Sequence, residues 1–347
     1  MSAQMQRALA WPVAALAWLG RQGTRALMAL VFIGLAVPPL GEFLKPYIAG
    51  SVFVLLCISF TRVDTVALRA YLSRPALVIG ATLWSAVAIP LLFGAGSLLT
   101  HLDRSSPDLF LGVMLQAVTS PMMSAPAVVA LMGLDATLVL ITLVTTTVLV
   151  PFTAPLIVSL FFGQTLTLSP LALGVKLLAL LAGAIVVAFV IRRLAGPDAI
   201  VRHNNAIDGF NIIVLLVLVS GLMGSVATSF WADPVGVLLS TLLAFAASLL
   251  LLGLTTLVFR KAGDERALAL GFMVSQRNLG LMLAATDGAL PGLTWLYFAL
   301  SQFPIYLSPQ LLKPLVRRLQ ARPAPAGDPP GASGGRQGHF PAMKRRR

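Results

Sequence analysis

A chain of 347 residues with 58% apolar and only 11% charged side chains, and a mean hydropathy of +0.90, lies outside the composition of a soluble globular domain. Its net charge of +13 is spread over alternate connections between apolar runs, which argues against nucleic acid as a partner and fits attraction to anionic lipid. The single Cys57 cannot form an intramolecular disulfide, and His101, His203 and His339 are scattered without ligand spacing, so no metal site is expected.

In chain order, residues 1–23 come first: Arg7 followed by an apolar run from 8 to 20 imitates a signal peptide. Pro12, Trp11 and Trp18 interrupt that run and no small-x-small cleavage pattern follows, so a cytoplasmic, interfacial helix is expected, with the two indoles at headgroup level. Ten apolar runs then occupy 24–40, 47–62, 75–98, 109–132, 136–162, 169–191, 208–228, 235–259, 267–286 and 292–312. A bilayer core needs roughly 20 apolar residues per helical crossing. The expected fold is therefore an all-α polytopic membrane protein with ten transmembrane helices in one domain over 24–320. Residues 321–347, rich in Pro, Gly and basic side chains, read as a disordered basic tail.

Charge gives the orientation. Arg7, Arg21 and Arg25 precede span one, Arg62, Arg69 and Arg74 follow span two, and Arg192, Arg193 and Arg202 follow span six. Arg260, Lys261 and Arg266 follow span eight, and the tail is basic. The opposite connections hold only Lys45 and Arg104. The positive-inside rule then predicts a cell (inner) membrane protein with both termini cytoplasmic, which requires an even number of spans.

Two spans carry breaks. Span four contains Ser120-Pro121-Met122-Met123-Ser124-Ala125-Pro126, whose two prolines delete backbone donors in mid-span. Span nine contains Val274-Ser275-Gln276-Arg277-Asn278-Leu279-Gly280, the most polar stretch inside any apolar run. Irregular backbone at that depth is tolerated only against protein or a water-filled cavity. Ser124 and Asn278 are 154 positions apart and Pro151 and Pro304 are 153 apart, an offset that predicts an internal duplication. Repeat one would cover about 24–162 and repeat two about 169–315. Five spans per half makes the repeat inverted, with helices four and nine broken and crossing, the architecture of secondary transporters.

Arg277 is the sharpest single residue, because an arginine deep in an apolar span must face the protein interior and find a partner. It either serves a site or forms a structural pair that fastens span nine to span four. Lys176 lies close enough to a span end to snorkel. Ser120, Ser124, Thr145, Thr146, Thr147, Gln276 and Asn278 are the hydroxyls and amides near the breaks. The threonines can equally spend their hydroxyls on their own helix, whereas Gln276 and Asn278 flank the arginine. Met122, Met123 and Met273 read as packing residues. No carboxylate pair, metal cluster or nucleophile with a base stands at one depth, so an enzyme is not expected.

These residues resemble those of the bile acid and sodium symporters, of which the chain would be a divergent member over roughly 30–315. The likeness rests on Lys45-Pro46-Tyr47-Ile48, Ser73-Arg74-Pro75, the span-four break, the run from Thr145-Thr146-Thr147 through Pro151 to Pro155, and Asn278-Leu279-Gly280-Leu281. The resemblance implies a panel of spans one, two, six and seven and a core of spans three to five and eight to ten. It also implies that spans four and nine cross where that family binds sodium beside an organic anion.

The departures are informative. Aligned with that family, its Ser-Asn pair falls on Ser124 and Ala125, its span-five ligands on Val139 and Leu143, and its span-three glutamine near Ser85. Its span-nine glutamate falls on Met273 and its glutamine on Arg277, or on Gln276 if the register slips by one, so Ser124 and Gln276 are the remaining sodium-ligand candidates. A guanidinium at the crossover would stand in for a bound cation and attract an anion, which counts against sodium coupling. The expected function is secondary transport of small organic anions by alternating access, with the lipid bilayer as the other partner. The alternatives are a non-transporting membrane sensor or scaffold and an anion channel.

Overall fold

The computed structural model of the protein describes residues 3–63, 75–162 and 169–321; Arg69, Ser73, Arg74 and the tail from 322 onward lie outside them. Every regular element among the described residues is helical, and the extended pairing there is one isolated antiparallel bridge between Pro121 and Arg277. The chain begins with α1 (Ala3–Arg21) and α2 (Thr24–Ala36), followed by α3 (Pro38–Thr61) and α4 (Pro75–Leu99). Next come α5 (Pro107–Val118), α6 (Ala125–Leu131), α7 (Ala136–Phe162) and α8 (Pro170–Ala195). The rest is α9 (Asn204–Ala232), α10 (Pro234–Val258), α11 (Asp264–Ser275), α12 (Leu279–Ala285), α13 (Gly292–Leu300) and α14 (Gln302–Gln320). Six of these, α3, α4, α7, α8, α9 and α10, are long and apolar enough to cross a membrane.

Local chemistry sets the helix ends. Ser169 caps α8 by accepting from the Ala172 amide at 3.5 Å, with Pro170 in the first turn, and α8 stops at Gly196, whose φ of 78° suits glycine. Asp233 caps α10 in the same way, accepting from the Gly236 amide at 2.9 Å. Leu171, Val175 and Phe189 on α8 and Leu238, Leu242 and Leu249 on α10 are exposed. Helices apolar on the face turned away from the protein are built for lipid.

One boundary differs from the sequence reading. The apolar run 24–40 is not a single helix, because it breaks at Val37 (φ −126°, ψ 71°) and a new helix starts at Pro38. A residue before proline is pushed out of the helical region, so α2 has 13 residues and Lys45 lies within the helical run of α3 rather than in an open loop. The N-terminal helix, expected at the interface, packs antiparallel on the first part of α9. There, a Cβ on Gly20 would lie 2.0 Å from the Asn205 carbonyl oxygen, and one on Gly209 would lie 1.9 Å from that of Leu16.

Residues from the Arg- and Lys-rich connections meet at one end of the molecule. Arg62 pairs with Asp208 at 2.6 Å, Arg192 donates to the Thr61 and Val63 carbonyls at 2.9 and 2.7 Å, and Arg266 faces Asp135 at 3.5 Å. Gln320 donates there to the Met132 and Gly133 carbonyls. At the other end Lys176 pairs with Asp287, Thr294 donates to the Asp108 carbonyl at 2.7 Å, and the Lys45 ammonium sits 5.0 Å from the Trp295 ring centre.

A further crowded backbone contact joins α3 to α9, where a Cβ on Gly41 would come within 2.4 Å of the Gly224 Cα. Gly41→Ala is therefore expected to lower the thermal-unfolding midpoint, the cost of overpacking being about 1–3 kcal/mol. Gly50→Ala, with nothing within 4 Å of the new Cβ, is expected to hold or raise it, since alanine is favoured in a helix by about 0.5–1 kcal/mol. Thermal denaturation of the two variants in detergent compares them directly.

Candidate functional site

The two expected breaks are present and they meet. α5 stops at Val118 with Thr119 extended (φ −71°, ψ 157°), and α6 resumes at Ala125. α11 stops at Ser275, and α12 resumes at Leu279. The two interruptions run antiparallel and satisfy each other's backbone: the Met122 amide donates to the Gln276 carbonyl at 2.5 Å and the Asn278 amide to the Ser120 carbonyl at 2.9 Å. The Thr119 hydroxyl donates to the Asn278 carbonyl at 2.9 Å. Pro121 and Arg277 face each other between these bonds, at a position where a strand residue donates nothing to its partner, so the missing N–H of proline costs nothing there.

Arg277 turns its side chain into the core and is 1% exposed. Its Nη1 donates to the Thr119 carbonyl at 2.8 Å and reaches the Ser85 hydroxyl and carbonyl at 3.3 and 3.4 Å, with Nη2 3.5 Å from the same carbonyl. Both acceptors are supplied by local backbone chemistry. The Thr119 carbonyl caps the C-terminal end of α5, where carbonyls lack intrahelical donors and the helix dipole is negative.

The Ser85 carbonyl lies in a π turn, Trp84–Ala88, inside α4. There the Ile89 amide bonds Trp84 instead, and the next donor position is Pro90, which has no N–H. The guanidinium thus binds two carbonyl groups that the chain has left open. No carboxylate lies within ion-pair distance of it among the described residues. Its Nε and the Ser120 hydroxyl are buried without a partner.

The remaining candidates divide. Ser85 joins Arg277. Gln276 turns elsewhere, its amide donating to the Ser308 hydroxyl at 2.8 Å and to that of Ser275 at 3.3 Å. Asn278 caps α12, accepting from the Leu281 amide at 3.2 Å. Thr146 and Thr147 donate to the Thr142 and Leu143 carbonyls of their own helix, both at 2.7 Å. Thr145 ties α7 to α4 through Thr82 at 2.6 Å.

Ser124 and Asn278 line a small cavity of about 40 Å³ between the crossover and α3 and α9. Ser124 and Gln276, the remaining candidates for a sodium ligand set, are joined by no hydrogen bond. The cavity's other walls include Met122, Met123, Ser59, Asn211 and Leu215. Ser59 and Asn211 are not among the residues that the sequence singles out; Asn211, an amide at the start of the apolar stretch of α9, is the one available signal. The two methionines expected to be packing residues face this cavity. Gln116 and Tyr297, also unanticipated, form a buried hydrogen-bonded pair holding α5 to α13.

The site therefore has two faces. On the inner face a cation neutralises helix-end carbonyls; on the outer face small polar groups border a crevice against α3 and α9. Neither a protein-family model nor a curated protein sequence matches the chain.

If the guanidinium fills the place of a metal cation, Arg277→Gln is expected to melt lower, because each carbonyl left without a donor costs about 1–3 kcal/mol. Part of that loss should return when potassium chloride is replaced by sodium chloride, while the wild-type midpoint is indifferent to the exchange. A wild-type midpoint that rises with sodium would contradict this role for the arginine.

Proposed function

We propose that the protein is a secondary carrier of small organic anions that works by alternating access without sodium. In this reading the ten helical passages of the chain are membrane crossings arranged as a five-plus-five inverted repeat. α2, α3, α8 and α9 form a panel, and the remainder forms a core around the crossover of α5–α6 with α11–α12. Two features support the repeat. The antiparallel bridge has a local two-fold axis that exchanges Pro121 with Arg277, 156 positions apart, close to the 154 that separate Ser124 and Asn278 in the sequence. Contacts at the two ends of the molecule also join alternate connections, as successive crossings require.

The observation that carries the reading is the fully buried, unpaired guanidinium at the meeting point of two interrupted helices. A permanent cation there does electrostatically what a bound metal ion would do at helix-end carbonyls, and it does so whatever the sodium gradient. With its donors turned to Ser85 and Thr119, Arg277 acts on the crevice as a fixed positive field rather than as a direct ligand, and low polarity strengthens that field. Ser124, Asn278, Ser59 and Asn211 are the groups that would touch the anion. The contact of Gly280 with α3, where a Cβ would lie 3.0 Å from Val52, lets core and panel press together; sliding at that surface would open the crevice.

The test is uptake of carboxylates and sulfonates into proteoliposomes. Uptake is expected to be unchanged when choline replaces sodium, to fall to background in Arg277→Ala, and to show a raised KM in Asn211→Leu. Uptake that requires sodium, or that survives in Arg277→Ala, would overturn the corresponding part of the proposal.

A further inference from the structure

At the end of the molecule poor in Arg and Lys, a cleft of about 410 Å³ opens between the start of α3, the turn within α9 and the segment leading into α13. Its wall carries Lys45, Ser225, Ser229, Leu290, Leu293 and Trp295. The Lys45 ammonium is held 5.0 Å from the centre of the Trp295 indole, a distance at which the ring attracts a cation. Among the described residues it has no carboxylate within ion-pair distance. Asp287, the acid next to the cleft residue Gly288, is taken by Lys176. Glu42, three residues before Lys45, neither pairs with it nor lines the cleft. An unneutralised cation beside two hydroxyls and an apolar wall, in a space of drug-like volume, matches an amphipathic anion.

The position of the cleft adds to its chemistry. Along α3, Lys45 lines the cleft, Val52 meets Gly280, and Ser59 lines the small cavity at the crossover. Along α9 the same order recurs: Ser225 in the cleft, Leu218 against Gly280, then Leu215 and Asn211 in the cavity. Cleft and cavity are thus two spaces on one line between the same helices, separated by the Val52–Gly280–Leu218 contact.

We infer that this cleft is a binding site for a soluble organic anion with an aromatic or aliphatic body, which waits there outside the closed contact. Lys45 and the two serine hydroxyls take the anionic head, and Trp295, Leu290 and Leu293 take the apolar body. Its place as an outer mouth rests on the carrier reading; its capacity to bind does not.

Equilibrium binding to the purified, full-length protein in detergent separates the two. Titration with naphthalene-2-sulfonate is expected to give a saturable change in tryptophan emission that disappears in Trp295→Phe. Lys45→Gln is expected to weaken it about tenfold, the worth of one charge-assisted hydrogen bond, and Lys45→Arg to restore it. Naphthalene without the sulfonate should not saturate the site.

Short-chain phosphatidylglycerol is the competing source of the same headgroup chemistry. Displacement of the sulfonate at equal concentration would reassign the cleft to lipid and overturn the inference, as would unaltered binding by Lys45→Gln or no saturable binding at all. Flux in proteoliposomes is scored separately: binding without flux removes the carrier reading and leaves the site, and flux without binding does the reverse.

Discussion

Two helices that stop in the middle of the protein depend on each other for the hydrogen bonds that stopping removes. The Met122 and Asn278 amides and the Ser120 and Gln276 carbonyls are paired across the crossover, so neither interruption is tolerable alone. What this exchange leaves over is electrostatic. The end of α5 and the π turn of α4 each present a carbonyl with no donor, and Arg277 bridges them. The packing of α4, α5 and α11 around one point satisfies those groups, and leaving either carbonyl unpaired in a dry interior would be costly.

The same arrangement explains how a cation can sit 1% exposed with no carboxylate in ion-pair distance among the described residues. The carbonyl dipoles at the end of α5 and in the π turn of α4 point at the guanidinium, and their partial charges replace one formal counter-charge. Nε of Arg277 and the Ser120 hydroxyl remain unpartnered, so the compensation is incomplete on the side nearest the interrupted segment of α5–α6. A residual positive field at the crossover would be the physical basis for the proposed anion preference of the adjoining crevice. Val139, Leu143 and Met273, where the resemblance would lead one to expect side-chain oxygens, are buried apolar residues.

Specificity would then be distributed over two spaces with different chemistry. The small cavity offers amides and hydroxyls with no formal charge on its walls, under a field from behind. The larger cleft offers an ammonium over an indole. Gly280 lies between them, where a Cβ would press on Val52 at 3.0 Å and Leu218 at 3.4 Å.

Much of this was legible in the residues themselves. Apolar runs, alternating basic connections, the Ser-Pro to Ala-Pro stretch and the polar insert at 274–280 marked the helices and both breaks, since backbone propensity and hydrophobicity act locally. Where the 24–40 run divides is also local, set by the effect of Pro38 on Val37. The direction in which each polar side chain turns could not be read. Gln276, Arg277 and Asn278 are consecutive, yet one reaches α14, one enters the core and one caps α12, because extended backbone sends neighbours to different faces. Nor does the sequence reveal that Ser85 offers an open carbonyl, or that Ser59 and Asn211 share a cavity with Ser124. Those depend on distances between segments far apart in the chain, which only the packed tertiary structure decides.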